Sequence, residues 1–347
     1  MTALARHRSY RRSPAHLRRS AATGTIAATV LGIGVVGTGT AAQAALGPRA
    51  AADGARITKT TRIAAREFDI TVQSPALGRS VKTRILVPAG WKQNAARTWP
   101  VLYAYHGGQD NYTSWTKNTD IESWAAAYGV IVVMPEASNG SYANWYNYGK
   151  GGSPKWETFH TQEVRQLIER NYRGGGVRAA IGNSSGGQGA VSYAARHPGL
   201  FRYVASLSGI LSMRAPGMQA MLMFTNAGNG QDPFAIWGVP FADDANWASY
   251  DPHAQAKKLK GTGIFFSSGT TGKPGPGDPN VAPWDIGLLS EIAVGANNIE
   301  FRKRLDAVGI PYTAHIYGNG RHNWPAWIRE AKFIWPTLMK SLGAGKK

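Results

Sequence analysis

The hydrophobic positions along the chain fall into short apolar runs that alternate with longer helical patterns. Phe68–Val72 and Val81–Val87 predict an opening antiparallel pair of strands. Pro100–Tyr105 and Val130–Met134 are apolar without interruption and bounded by turn residues, as expected of strands covered on both faces. Thr158–Arg173 has helical spacing, Arg178–Ile181 is a buried strand running into Gly182, and Gly186–His197 is an Ala-rich helix stopped by Pro198-Gly199. Tyr203–Leu207, Gly263–Phe266 and Tyr312–Tyr317 predict three further strands, and Leu288–Val308 and Pro325–Leu342 two further helices. Alternation of this kind predicts an α/β fold: a mostly parallel central sheet with helices on both faces. Ligands of such sheets sit at the carboxyl ends of the strands. No repeat or linker divides the pattern, so residues 61–343 read as one domain, with a cap-like insertion over residues 209–252.

The first residues do not fit the pattern. Residues 1–20 contain Arg6, Arg8, Arg11, Arg12, Arg18 and Arg19 and no acid, and residues 21–44 carry no charge and close on Ala42-Gln43-Ala44. A basic start, an apolar stretch and a small-x-small site predict an export signal over residues 1–44, by the general or the twin-arginine route. The uncharged run is long enough to span a bilayer, but its Gly and Thr content disfavours a spanning helix, so no stable membrane insertion is expected after cleavage. Residues 45–60 read as a poorly ordered leader.

Composition narrows the chemistry. The 347 residues hold 39 Lys and Arg against 20 Asp and Glu, and no cysteine. Six of the basic residues belong to the signal, and the remainder form no block of the kind that marks a nucleic-acid arm, so no nucleic-acid partner is expected. Absence of Cys excludes a thiol nucleophile and thiolate metal sites, and no metal or cofactor is expected.

Gly182-Asn183-Ser184-Ser185-Gly186 fits G-x-S-x-G, with an apolar strand before it and a small-residue helix after it, the context of a nucleophile elbow. Ser184 needs a base. Of the six histidines beyond the signal, His160 and His197 fall on helices and His315 within a strand, whereas His322 lies in a Gly-rich loop after the last strand, Gly318-Asn319-Gly320-Arg321-His322-Asn323-Trp324-Pro325. His322 is the predicted base. The acid lies between them in chain order. Asp278, Asp285, Glu291, Glu300 and Asp306 are candidates; position favours Asp278, in the loop after Gly263–Phe266, and spacing does not decide. The oxyanion hole requires two backbone N–H groups. One is expected from Ser185, the other from Gly108 or Gln109 in the turn His106-Gly107-Gly108-Gln109.

On Tyr112–Trp115, Tyr142–Tyr146, Lys155–Phe159, Ala180–Gly187, Trp237–Asp251 and His322–Trp327, the chain resembles the antigen 85 mycolyltransferase family of α/β-hydrolases and, more distantly, esterase D. The resemblance covers roughly residues 65–342. It implies the α/β-hydrolase fold and a catalytic Glu preceding a helix about ten residues before an aromatic position; Glu291, ten residues before Phe301, matches, which moves the expected acid from Asp278 to Glu291. Members that transfer mycolate to trehalose carry Asp-Gly-Leu-Arg at the oxyanion turn and Leu-Ser-Met at the elbow. Here these are His106-Gly107-Gly108-Gln109 and Asn183-Ser184-Ser185, so general ester chemistry is implied in place of a committed trehalose mycolyltransferase.

The insertion holds Met213, Met218, Met221 and Met223 among several aromatics, a composition suited to varied apolar ligands. Met221, Met223, Trp145 and Trp324 are the candidate substrate contacts. The expected function is an exported serine ester hydrolase or acyltransferase acting through an acyl-enzyme on a small-molecule or lipid ester, with trehalose or cell-wall mycolyltransferase-type acyl transfer as the alternative and a cell-wall glycolipid or sugar as its acceptor. The competing reading, from a different class, is a non-catalytic surface-binding protein on a hydrolase scaffold.

Overall fold

The computed structural model describes residues 47–346. The signal expected over residues 1–44 lies outside the described residues.

The core is a nine-stranded sheet in the order β1-β2-β3-β5-β4-β6-β7-β8-β9. In sequence the strands are β1 (Arg56–Ala64), β2 (Glu67–Ser74), β3 (Arg79–Leu86), β4 (Trp99–Tyr105), β5 (Ile131–Pro135), β6 (Gly174–Asn183), β7 (Tyr203–Leu207), β8 (Gly263–Ser268) and β9 (Thr313–Ile316). β1–β2, β2–β3 and β3–β5 pair antiparallel; the five remaining pairings, from β5–β4 across to β8–β9, are parallel. The parallel strands are apolar because both faces are covered. β5 is buried along its whole length, and so is β4 apart from Pro100.

Helices supply the covers. After β4 come α1 (Ser114–Asn118) and α2 (Ile121–Ala126), and after β5 come α3 (Trp156–Thr158) and α4 (Arg165–Tyr172), joined by a wider π-helical turn, Phe159–Val164. The helix expected over Thr158–Arg173 is thus three helical pieces in series. α5 (Ser185–Arg196) follows β6 and is buried from Gly186 to Ala195. Gly186 and Gly187 let it lie so close to the sheet: a Cβ at Gly186 would stand 2.5 Å from the Tyr105 carbonyl oxygen. The insertion folds as α6 (Met218–Gly228), α7 (Pro233–Trp237) and α8 (Asp244–Tyr250), packed on a small cluster of its own that includes Met213, Leu222, Trp237 and Trp247. α9 (Ile286–Ala307) and α10 (Trp324–Ser341) close the chain, α9 setting Phe301 against Phe266 of β8 at 5.4 Å between ring centroids.

The leader expected over residues 45–60 is corrected from Arg56 on: those residues belong to β1, paired along β2. Arg-Ile-Thr-Lys-Thr-Thr-Arg-Ile-Ala has no apolar face because β1 is an edge strand with only Ile57 buried, so the ladder holds it and hydrophobic patterning does not reveal it. The fold also begins before residue 61 in a second sense, since Arg49 donates its N–H to Asn171 and Ala51 and Ala55 are buried.

Candidate active site

Ser184, the oxyanion turn and the His322 loop stand at the carboxyl ends of strands β6, β4 and β9. Ser184 follows β6 at φ +53°, ψ −124°, a left-handed backbone that a non-glycine residue adopts only when its surroundings impose it. The imposing contacts are visible at the flanking glycines: a Cβ at Gly182 would stand 2.4 Å from the Gly186 carbonyl carbon. The Ser184 N–H is held by the Leu207 carbonyl of β7 at 2.8 Å, and the hydroxyl is pushed out at the apex of the turn.

His322 meets it. Ser184 Oγ and His322 Nε2 are 2.8 Å apart, and His322 Nδ1 lies 2.8 Å from Glu291 Oε2. With Nδ1–H donating to the carboxylate, Nε2 carries the lone pair that faces the hydroxyl, the tautomer a general base requires. The histidine loop is fixed independently of its ring. His322 N–H donates to the Gly287 carbonyl at 3.0 Å, and the ring packs edge-on against Trp327 at 5.1 Å between centroids.

Glu291 is fully buried, inside the second turn of α9 and not ahead of the helix as the resemblance implies. Its Oε1 accepts from Gly269 N–H at 2.7 Å, Ser208 Oγ–H at 2.8 Å and Tyr317 O–H at 3.2 Å. Burial by itself raises a carboxyl pKa; the His322 hydrogen bond and charge, with the Gly269 and Ser208 donors, outweigh it and hold Glu291 below the usual carboxylate range. Burial pushes the Tyr317 phenol far up, so it remains a donor.

The other acids do different work. Asp285 caps α9, accepting from Gly287 N–H at 2.9 Å, and pairs with Arg321. Asp278 Oδ2 accepts from Gly275 N–H and Arg321 N–H at 2.8 and 2.9 Å. Neither reaches the His322 ring; both hold the loop that presents it. Glu300 pairs with Lys303 on the exposed side of α9, and Asp306 accepts from Tyr312.

At the oxyanion turn the two expected donors separate. Gln109 N–H is engaged by Asn139 Oδ1 at 2.8 Å, whereas no hydrogen bond among the described residues engages the N–H of Gly108 or of Ser185. A Cβ on Gly108 would lie 4.0 Å from Ser185 Oγ, which places the two turns side by side. His106 braces this turn from within: its Nδ1 lies 2.7 Å from the Gly107 carbonyl, and its Nε2 accepts from Ala137 N–H at 2.9 Å. The remaining histidines are structural. His160 bridges Tyr193 O–H and the Glu136 carbonyl, and burial pushes its pKa down to about 3, so it stays neutral.

A cavity of about 200 Å³ opens at Ser184, lined by Gly108, Gln109 and Ser208 on the sheet side and by Met221, Leu222 and Thr225 of α6 and Ser290 and Val294 of α9. Of the four candidate substrate contacts only Met221 lines it. Met223 packs on the cluster under the insertion, Trp145 donates to the Gly140 carbonyl, and Trp324 stacks edge-on with Trp115 and Trp327. Spacing along a helix separates Met221 from Met223, which point to different sides. Sequence reasoning missed Ser208, which lines the cavity, holds Glu291 and has φ +53°; its only signal is a Ser-Gly step at a strand's carboxyl end. Among the described residues no group of three His, Asp or Glu side chains could hold a metal ion.

Similarity to known proteins supplies the family. A family model described as "Putative esterase" matches residues 74–333. The diacylglycerol acyltransferase/mycolyltransferase Ag85A of Mycobacterium leprae is 32% identical over 290 residues, covering 79% of this chain and 83% of that protein. An esterase of Mycobacterium tuberculosis is 30% identical over 74% of this chain and 56% of its own length. The crystal structure of Mycobacterium tuberculosis MPT51 superposes with a TM-score of 0.64 over 80% of this chain and 100% of that one, at 24% identity, a likeness of fold. The chain belongs to the esterase family, with an α/β-hydrolase fold, and is an enzyme of ester hydrolysis or acyl transfer.

Proposed function

We propose that Ser184 is the nucleophile, His322 the general base and Glu291 the acid that orients it. The observation that carries the proposal is the unbroken chain of two 2.8 Å contacts from Ser184 Oγ through His322 to Glu291. Ser184 attacks the ester carbonyl as His322 Nε2 takes its proton; the carbonyl oxygen becomes the oxyanion between the N–H groups of Gly108 and Ser185. Each such donor contributes about 3 kcal/mol to lowering the barrier. The imidazolium, stabilised by ionised Glu291, returns the proton to the departing alkoxide. Water or a second alcohol then enters by the same steps in reverse and releases the acyl group.

The acyl side is the cavity between α6 and α9, where Ile210, Met221, Leu222 and Val294 supply its apolar lining. The alcohol side is a polar groove of about 500 Å³ that shares Gln109 and Asn139 with it and is lined by Arg79, Lys82, Asp110, Asn111 and Tyr112. Those side chains suit a hydroxylated leaving group or acceptor, such as glycerol or a sugar of a cell-wall glycolipid. The substrate is a carboxylic ester, and the site acts outside the cytoplasm, the signal over residues 1–44 having been removed by the general or twin-arginine route. Expression of the whole chain, with N-terminal sequencing of exported protein, tests the last point: a first residue of Ala45 is expected, and an uncleaved Met1 overturns it.

The chemistry is tested by p-nitrophenyl butyrate turnover with and without glycerol or trehalose, followed by product analysis. Ser184→Ala is expected to lower kcat on the order of 10⁵-fold. Equal rates for the two proteins overturn the assignment.

A further inference from the structure

The solvent side of the site is apolar where a soluble surface is ordinarily charged. From Trp284 to Ile299 the only ionisable residues are Asp285, paired with Arg321, and the buried Glu291. The outward positions of α9 in this stretch include Ile286, Leu289 and Ile292, 73%, 46% and 39% exposed, preceded by Trp284 at 78%. Leu289 and Ala293 share one face of the helix at i, i+4, and Ala293 borders a second cavity of about 1000 Å³, where Phe241 stands 89% exposed. Across from α9, α6 buries only Leu222 and Asn226, and leaves Phe224 81% exposed between Met221 and Thr225, two residues that line the Ser184 cavity. Exposed large apolar side chains thus flank the opening on both helices. A patch of this kind marks a surface that is covered in use.

We infer that this α6–α9 face docks on a lipid surface with anionic headgroups. Two observations select that occupant. The first is position: the face encloses the mouth of the Ser184 cavity, so a protein packed against it would seal the site, whereas a lipid layer can deliver an ester into it. The second is charge. Beyond residue 46 the chain carries 33 Lys and Arg against 20 Asp and Glu. The face itself exposes no unpaired acid, and Lys273, exposed and in no ion pair among the described residues, borders it: a Cβ at the adjacent Gly272 would stand 2.4 Å from Ile292 Cδ1. Apolar side chains entering the headgroup layer and cations attracted to it act together at such surfaces. The inference deepens the ester-hydrolase reading but does not require its chemistry to be correct.

Sedimentation with equimolar phosphatidylcholine/phosphatidylglycerol vesicles tests it, using the mature chain, Ser184→Ala, and the combined variant Phe224→Ser/Trp284→Ser/Ile286→Ser. The mature chain and Ser184→Ala are expected to pellet equally. The combined variant is expected to lose about tenfold or more in partitioning, while melting at the same temperature and hydrolysing soluble p-nitrophenyl acetate at the same rate. Lys273→Glu is expected to weaken binding in low salt. A mature chain that stays in the supernatant, or a combined variant that pellets like it, overturns the inference. So does a concentration-dependent dimer in sedimentation velocity that the combined variant abolishes, since a second copy then covers the face. Vesicle binding without Ser184-dependent turnover removes the catalytic reading and leaves the docking surface standing.

Discussion

Arg321 and Asp285 form a two-pronged ion pair, Nε to Oδ1 at 2.6 Å and Nη2 to Oδ2 at 2.9 Å, one residue from His322. The pair ties the histidine loop to the first turn of the helix that carries Glu291. The proposed base, His322, and the proposed acid, Glu291, therefore come from segments separated in sequence but held as one body. An arginine fork suits this better than a lysine ammonium would, because it fixes both carboxylate oxygens in direction.

Two classes of acid should separate in mutagenesis. Glu291→Gln keeps the shape but removes the charge that stabilises the imidazolium and allows the wrong tautomer; kcat is expected to fall about 10⁴-fold. Asp285→Asn weakens the cap and the Arg321 pair, lowering the melting temperature while kcat stays within about tenfold. Steady-state kinetics and thermal melts on both variants check this, and equal kcat losses would count against Glu291 as the acid.

The oxyanion donor proposed at Ser185 is a backbone group, so its side chain should be dispensable. Ser185→Ala is expected to retain kcat within about threefold, because the N–H survives and α5 keeps its geometry. Gly107→Ala is expected to fail: its Cβ would sit 2.9 Å from Asn183 Nδ2 and 3.3 Å from Ser184 Cβ, displacing the nucleophile. Comparing kcat with burst amplitude on p-nitrophenyl acetate distinguishes a misplaced nucleophile from an unfolded protein.

If the acyl group occupies the space between α6 and α9, Met221→Trp should shorten it. Acetate turnover is expected to stay within about threefold, and kcat/KM for butyrate and longer esters to fall by about tenfold or more, a loss of roughly 1.4 kcal/mol. Met223→Trp, whose side chain lies on the other side of α6, should leave the chain-length profile unchanged. A chain-length series on the two variants decides it.

A buried carboxyl outside the candidate site sets a pH dependence of stability. Glu163 accepts from Ser74 Oγ–H at 2.5 Å and Ala76 N–H at 2.8 Å, yet burial raises its pKa to about 7, with the Asp53 charge adding to the rise. A carboxyl with a raised folded-state pKa binds its proton more tightly folded than unfolded. The stability it contributes is complete below the unfolded value and is lost as pH rises through about 7. Melting temperature is expected to fall between pH 5 and pH 8 by more in the wild type than in Glu163→Gln. Parallel slopes would remove this group from the account.

The elbow at Ser184 was legible because its signature is local: a strand, two glycines and a helix start fall within a few residues. His322 was legible for a related reason, as the histidine in a Gly-rich loop after the last strand. β4, β5, β7 and β8 were legible because strands covered on both faces must be apolar. β1 was not, because an edge strand held by its ladder needs no apolar face. The choice of Glu291 over Asp278 and Asp285 belongs to tertiary structure; sequence order allowed all three, and only the resemblance singled one out. All three acids lie near the histidine loop in space, and which of them reaches the ring depends on how α9 meets β8 and β9. The substrate contacts depend on it still more. Met221 and Met223 are two residues apart in the sequence and lie on different sides of one helix, and only the docking of α6 over Ser184 decides which of them faces the ester.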